Sequence, residues 1–373
     1  MKKIHITLVG GQPIPVYLGI ASQECDEVVL VHSDTTLDEA QRIEKNCDKA
    51  CVFVPCPPND IAEIQATAKR LKEEFEACEV VLNITSGTKL WSIIFNQVFA
   101  NHAQTKSIYV DQLNTVYDIN TNEQHTLSMD MHKRFELYGS PLVNFTPLAF
   151  YTEKDYEGAV QIEKVRKINI GAFTELTNNE RGVYDKNEGL VLSKNGSSME
   201  WNWDEGWVAF DIIGYSGYPN FMRIEMDHPQ EIVLNTSWFE LKTAFELKKN
   251  PAVKGIYLNC EFRSAINQPK NEIDIIADFG MRLLFVECKT MIREITDIDK
   301  FRSAVRNYSG TSSTALFVTN DRTKGMRHEK YLSAMEKCKD NDILTFNFSL
   351  WDKKPETSMN AIVNKYLQKI NKR

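Results

Sequence analysis

The residues best suited to chemistry lie in the stretch NEIDIIADFGMRLLFVECKT, residues 271–290. It reads as two short strands joined by a turn at Asp278-Phe279-Gly280, an Asp-x-Gly between apolar runs being a hairpin signal. Side chains alternate along a strand, so Glu272 and Asp274 share one face, and Glu287 and Lys289 share one face with Cys288 turned away. The intervening residues are mostly Ile, Leu, Phe and Val, as in a buried sheet. Unpaired charge is costly in such a setting, so two carboxylates and an ammonium group pointing inward need a reason. Metal-assisted phosphodiester hydrolysis supplies one. Asp274 and Glu287 offer hard oxygen ligands for a divalent cation, Mg2+ or Mn2+, which lowers the pKa of a bound water and polarises a phosphate. Lys289 would position that water or neutralise developing charge. The bland alternative is a surface hairpin carrying a structural Glu–Lys pair.

Asp274, a gap to the next strand, and Glu287-Cys288-Lys289 resemble the PD-(D/E)xK nuclease motif. In that family a helix before the catalytic hairpin often supplies a further acidic residue. Glu240 has the right position, in a helix expected from Ser237 to about Lys249 and opened by Asn235-Thr236. Ser237 followed three residues later by Glu240 equally fits a capping box, a purely structural role. Glu272 is a secondary candidate. The pattern after residue 250 is strand (253–262), hairpin, helix (297–308) and strand (314–318). It resembles the restriction-endonuclease-like core. Tyr308-Ser309-Gly310 and Asp299-Lys300 extend the likeness. Lys300, Arg302 and Arg306 suit phosphate contacts, or simply a solvated helix face.

The first 135 residues alternate strand-like runs (4–9, 27–32, 50–54, 79–84, 107–110) with helical patterns, notably 59–77 and 88–102. Such alternation predicts a parallel sheet covered on both faces, with ligands at the carboxyl ends of the strands. The segments there are Gly10-Gly11-Gln12-Pro13, His32-Ser33-Asp34-Thr35-Thr36 and Asn83-Ile84-Thr85-Ser86-Gly87-Thr88-Lys89. The last, rich in hydroxyls and leading into a helix, can hold an anion on free backbone N–H groups, or can be an ordinary capped helix start. Neither GxGxxG nor GxxxxGK[ST] is present, which removes the key residues of a nicotinamide or ATP-hydrolysing enzyme.

Together these loops resemble the CARF domain, the Rossmann-like sensor of CRISPR-associated proteins. The resemblance implies a homodimer that binds a cyclic oligoadenylate, such as cyclic tetra-adenylate, across its two-fold axis. Thr85, Ser86, Gly87, Thr88 and Lys89 would contact the ring, with Gln12 and Ser33 as weaker candidates. A sensor-like first half and a nuclease-like second half together resemble CRISPR ancillary nucleases. The expected organisation is thus α/β throughout: a Rossmann-like sensor over 1–135, a small connector over 136–230, and a restriction-endonuclease-like domain over 231–373. The connector begins at the break Tyr138-Gly139-Ser140-Pro141. It contains a helix over 153–167, a tight turn at Asn195-Gly196 and the aromatics Trp201, Trp203, Trp207, Phe210, Tyr215, Tyr218 and Phe221. Those aromatics suit a small core or base stacking, and a winged-helix-like connector is one expectation.

Length, composition and charge are compatible with this. A chain of 373 residues suffices for two or three domains, and 42% hydrophobic with 25% charged residues is ordinary for a soluble protein. A net charge of −7 disfavours a broad nucleic-acid coat but permits a local basic groove. The eight cysteines include no CxxC pair, no run approaches a membrane span, and the N-terminus has too short an apolar run for a signal peptide, so a reduced, cytoplasmic protein is expected. DNA and RNA are both admissible substrates. The competing reading is a non-enzymatic, ligand-responsive nucleic-acid-binding regulator in which the acidic trio is structural. A third has the sensor hydroxyls slowly cleaving the ring, without an evident general base.

Overall fold

A computed structural model of the chain describes residues 1–178, 185–234, 236–263, 268, 270, 272–280, 282–292, 294–309, 313–321 and 326–371. Asn235, Gly310 and much of the 263–270 loop, all invoked above, lie outside the described residues.

The first part alternates as expected: β1 (Lys3–Leu8), α1 (Pro13–Ala21), β2 (Glu27–His32), α2 (Leu37–Lys45), β3 (Ala50–Pro55), α3 (Ile61–Glu74), β4 (Glu79–Asn83), α4 (Lys89–Phe99) and β5 (Thr105–Val110). An antiparallel edge, β6 (Thr115–Asp118) and β7 (Gln124–Thr126), completes a sheet of order β3-β2-β1-β4-β5-β6-β7. β1 to β5 run parallel. One face is filled by α1 and α2 with Val28, Leu30 and Ile108, the other by α3 and α4 with Ile6, Val29 and Leu82. The connections reverse direction between β1 and β4, so the loops after these two strands open the crevice where such sheets bind ligands.

α5 (Met131–Leu137) follows and belongs to two cores at once. Leu137 is buried with residues of the N-terminal sheet and its helices. Phe135 instead enters the second sheet's core, with its ring centroid 4.9 Å from that of Phe262 and 6.1 Å from that of Phe285.

The segment expected as connector supplies β8 (Leu142–Pro147), α6 (Glu153–Ile168), α7 (Ile170–Thr177), β9 (Glu188–Leu192), β10 (Ser198–Asn202), β11 (Trp207–Ile213), β12 (Pro219–Glu225) and α8 (Pro229–Val233). β9 to β12 form a four-stranded antiparallel sheet rather than a two-stranded wing. Gly196 takes φ +84° at the Asn195-Gly196 turn between β9 and β10. The aromatics divide: Trp201 and Phe210 are core, whereas Tyr215, Tyr218 and Phe221 are exposed.

The last part contains α9 (Ser237–Lys248), β13 (Gly255–Phe262), β14 (Ile273–Asp278), β15 (Leu283–Lys289), α10 (Thr296–Ser309), β16 (Thr314–Thr319), α11 (Met326–Asp340), β17 (Ile343–Asn347) and α12 (Met359–Asn371). Its sheet has the order β17-β16-β15-β14-β13-β8, so its edge strand β8 comes from before residue 150. Among the described residues no break in the core falls near residue 230. One apolar cluster runs from Ile162 and Phe210 through Trp238 and Phe239 to Val286 and Val318, joining α6 and the four-stranded sheet to α9 and the six-stranded sheet. Glu163 of α6 reinforces that joint, bonding Lys242 of α9 at 2.8 Å and the Asn320 amide beyond β16 at 2.8 Å. Burial pushes its carboxyl pKa up, but Lys242 and Lys167 outweigh this and hold it at about 2.

Candidate active site and ligand-binding face

β14 and β15 pair antiparallel with Ile275 opposite Val286, which brings Asp274 alongside Glu287. Asp274 shares the pleat face of Ile276, and Glu287 that of Phe285, both of which belong to the core beneath α10. The two carboxylates therefore meet on one face. Cys288 turns to the opposite core, as the alternation requires. Its backbone N–H donates to Asp274 Oδ2 at 2.6 Å, which fixes the Asp274 carboxylate. Lys289 Nζ lies 2.5 Å from Glu287 Oε1.

Glu240 also comes to this place. The capping-box alternative fails: the N-cap of α9 is Thr236, at φ +73°, and it makes no side-chain cap. Glu240 instead feels the charges of Asp274, Lys289, Glu272 and Glu287. Like charges so close in a half-buried setting resist ionisation. Burial, then Asp274, raises Glu240 well above the usual carboxylate range. Burial likewise raises Asp274, against the pull of Lys289 and the Cys288 N–H. Glu287 is pushed up to about 7 by burial and by Asp274, despite Lys289. Glu272 is raised by burial, Asp274 and Glu261. Lys289 is drawn down by burial, but Asp274 and Glu287 overcome this and hold its proton firmly.

Two cavities flank the group. One of about 250 Å³ is bounded by Glu272, Glu287, Lys289, Asp297, Lys300 and Phe301. The other, about 570 Å³, opens on Glu240, Lys289 and Asp297 and is walled by Arg166, Thr174 and Thr177. Asp297 and the wall from α6 and α7 had no signal in the sequence: an Asp in the first turn of a helix is commonplace, and the wall comes from more than a hundred residues upstream. Of the three cations on α10, Lys300 reaches the cavity, 3.6 Å from Asp297, while Arg302 and Arg306 do not line it.

The donor set suits a hard cation. Among the described residues no group of three or more His, Cys, Asp or Glu side chains is arranged to hold a metal. Two apposed carboxylates are nonetheless what Mg2+ commonly takes from a protein, the rest of its octahedron being water and substrate phosphate. The mutual repulsion of Asp274 and Glu287 is what such an ion would relieve.

In the N-terminal sheet, the loops after β1 and β4 touch. A Cβ on Gly10 would lie 2.7 Å from the Gly87 nitrogen and 2.9 Å from Ser86 Oγ. Gly87 takes φ +76°, and a Cβ there would meet Trp91 at 2.7 Å. Thr88 caps α4, accepting from the Trp91 N–H at 3.2 Å. Gly87 and Lys89 are exposed. Thr85 is committed elsewhere: its hydroxyl donates to Asn83 Oδ1 at 2.5 Å and accepts from the Val110 N–H at 2.8 Å, tying β4 to β5. Ser33 is buried in a local turn, its hydroxyl 3.0 Å from that of Thr35. Gln12 Oε1 accepts from the Tyr138 hydroxyl at 3.0 Å. The exposed residues of this constellation are thus Gly87 and Lys89, with Ser86 and Thr88 half-buried between and beside them and Gln12 bound to the residue after α5.

Among the described residues no helix is long and apolar enough to cross a membrane. No curated protein matches the chain. Residues 4–138 match the family model of the Card1 CARF domain. Over 98% of its length the fold is similar to that of Can2 from Sulfobacillus thermosulfidooxidans, solved in complex with cyclic tetra-adenylate, at 16% identity, TM-score 0.69 and 99% of that chain. Protein VC1899 from Vibrio cholerae is similar over 99% of this chain and 98% of its own, at 14% identity and TM-score 0.70. A type III CRISPR defence DNA nuclease activated by cyclic oligoadenylate is similar over 86% of this chain and 45% of its own, at 13% identity and TM-score 0.53. The mixed α/β architecture with a parallel-rich N-terminal sheet is like that of Can2, and residues 4–138 of this chain are similar to the Card1 CARF domain.

Proposed function

We propose that this chain is a cyclic-oligoadenylate-activated, metal-dependent nuclease of type III CRISPR defence, working as a homodimer on DNA or RNA. The observation that carries the reading is the apposition of Asp274 and Glu287 in the six-stranded sheet, with Glu240 near them and with Glu287 and Lys289 opening on a cavity. The match of residues 4–138 to a CARF model, and a fold shared with a protein solved on cyclic tetra-adenylate, support the activator.

Asp274 and Glu287 would hold Mg2+ or Mn2+, which when bound supplies Lewis-acid polarisation of the phosphate and an acidified water. The N–H of Cys288 orients Asp274 for this. Lys289, kept protonated by its two carboxylate neighbours, is placed to orient the attacking water and to offset charge building on the phosphorane oxygens. Glu240, whose carboxyl retains its proton more readily than an exposed one, is placed to accept or return a proton at the cavity wall. In the sensor, the backbone of Ser86 to Thr88 and the free end of Lys89 would receive the ring's phosphates at the start of α4.

The test is a substrate panel of single- and double-stranded DNA and RNA, with metal, with and without cyclic tetra-adenylate. Metal- and ring-dependent cutting supports the reading. Ring-dependent nucleic-acid binding with no cutting by any metal would make the chain a regulator instead.

A further inference from the structure

None of the eight cysteine thiols enters the reaction above. Cys25, Cys56, Cys260, Cys288 and Cys338 are buried, and burial pushes each thiol up, away from the reactive thiolate. Cys78 packs against the core of α3 and α4. Cys47 and Cys51 differ. Both are part-buried, at the turn that leads from α2 to β3, on the other face of the sheet. Both sulfurs converge on the peptide of Lys49: Cys47 Sγ accepts from its N–H, and Cys51 Sγ lies 3.5 Å from its carbonyl oxygen. The Cys51 thiol is also hydrogen-bonded to the Cys47 sulfur, so the two side chains are in direct contact. A cavity of about 370 Å³, bounded by Tyr17, Ser22, Gln23, Asn46, Cys47 and Lys49, gives a small solute access to Cys47.

The surroundings favour a thiolate at one member of the pair. The Cys51 thiol first, then the Lys49 N–H and ammonium, lower the Cys47 thiol against burial and Asp48. Cys51 keeps its proton, because Cys47 accepts it and burial disfavours its charge. Glu44 and Cys25 face Cys51, and Lys133 of α5 donates to the Asn46 carbonyl at 3.4 Å. A part-exposed thiolate with a protonated thiol against it is the arrangement of an attacking and a resolving cysteine. We propose that Cys47 and Cys51 form a redox-active pair that a hydroperoxide converts to a disulfide. The Cys47 thiolate attacks a peroxide oxygen: an S–O bond forms, the O–O bond breaks, and hydroxide or alkoxide leaves and takes a proton from water. The Cys51 sulfur then attacks the sulfenic sulfur of Cys47. The S–S bond forms, the S–O bond breaks, and the departing hydroxide leaves as water with the Cys51 proton. The sulfurs together lose two electrons and the peroxide gains them. Lys133 ties the same turn to α5, and Arg42 of α2 donates to the Leu137 carbonyl at 2.9 Å, so the new bond forms beside the helix that joins the two sheets. The pair stands whether or not the chain cuts nucleic acid.

The experiment is mass spectrometry of the full chain, reduced, freed of reductant and exposed to hydrogen peroxide, with and without the sulfenic-acid trap dimedone. Wild type is expected to become two hydrogens lighter, to regain them with dithiothreitol, and to take up little dimedone at this turn. Trypsin cuts after Lys45 and Lys49, so the bond is read as a link between the peptide of Cys47 and that of Cys51. Cys51→Ala is expected to take up dimedone at Cys47, and Cys47→Ala to form neither adduct nor bond at this turn. If one variant does not fold, the other carries the test beside wild type. No loss of mass in wild type, a bond from either residue to Cys25, or as much dimedone on Cys51 in Cys47→Ala as on Cys47 in Cys51→Ala overturns the proposal.

Discussion

Asp274, Glu287 and Glu240 are each less stable as carboxylates than they would be in water, and the fold keeps all three close enough for their charges to act on one another. A carboxyl with a raised native pKa adds stability that is fully present at low pH and is lost as pH rises through that pKa. For Glu240 this means that Gln, which removes the ionisable proton, should leave stability unchanged or raise it, with the advantage growing as pH rises. Cleavage should nonetheless fall at least tenfold. Melting curves and activity assays on Glu240→Gln check this, and a lowered Tm would make Glu240 structural. Lys289 behaves oppositely. Lys289→Met leaves Asp274 and Glu287 facing each other without their cation, so it should destabilise the metal-free protein by about 3 kcal/mol, the scale for breaking a buried pair, and abolish cutting. Added Mg2+ should recover part of the lost stability.

Individual elements show where the sequence was sufficient. β1 to β5, α3, α4 and the β14–β15 hairpin were legible because their apolar periods are local and their turns carry glycine or capping residues. α1 was not: it is buried on nearly every side, so Pro13 to Ala21 lacks the polar stripe that marks a helix. β8 was hidden because its partner β13 lies more than a hundred residues on. Asp274, Glu287 and Lys289 were found together because a strand pair is a short-range object. The choice of role for Glu240 depended on Thr236, rather than Ser237, being the N-cap of α9. Of the ring contacts expected, Thr85 and Ser33 have hydroxyls engaged in hydrogen bonds within the protein, which no local sequence signal announces. At the β4–α4 junction, Gly87→Ala forces a side chain into a left-handed backbone and against Trp91. It should cost about 1–3 kcal/mol and weaken binding of cyclic tetra-adenylate, measured by denaturant melts and calorimetry.

Across the whole molecule, the N-terminal sheet and the six-stranded sheet are joined through α5. Leu137 packs with the N-terminal sheet, Phe135 packs on Phe285 of β15, and Tyr138 donates to Gln12 in the loop after β1. Phe285 stands two residues from Glu287 on the same face. If ring binding shifts the catalytic pair through this helix, Tyr138→Phe should leave ring affinity within about twofold while reducing ring-stimulated cutting, since coupling is a free energy separate from affinity. Equal stimulation in Tyr138→Phe would remove that route. The joint at Glu163 has its own signature. Its carboxyl is held below the unfolded value, so its stabilisation is present above pH 4.5 and declines as pH falls towards about 2. Glu163→Gln should therefore cost roughly 3 kcal/mol near neutrality, with the difference from wild type narrowing in acid, as read from denaturant midpoints.

The central claim concerns three side chains on two strands. Its most direct measurement is cleavage of labelled DNA and RNA by the Glu287→Ala, Lys289→Ala double variant beside wild type, with saturating cyclic tetra-adenylate and Mg2+ or Mn2+. Wild type should cut only when ring and metal are both present, and the variant should bind the ring with unchanged affinity yet fail to cut. Undiminished cutting by the double variant would contradict the account.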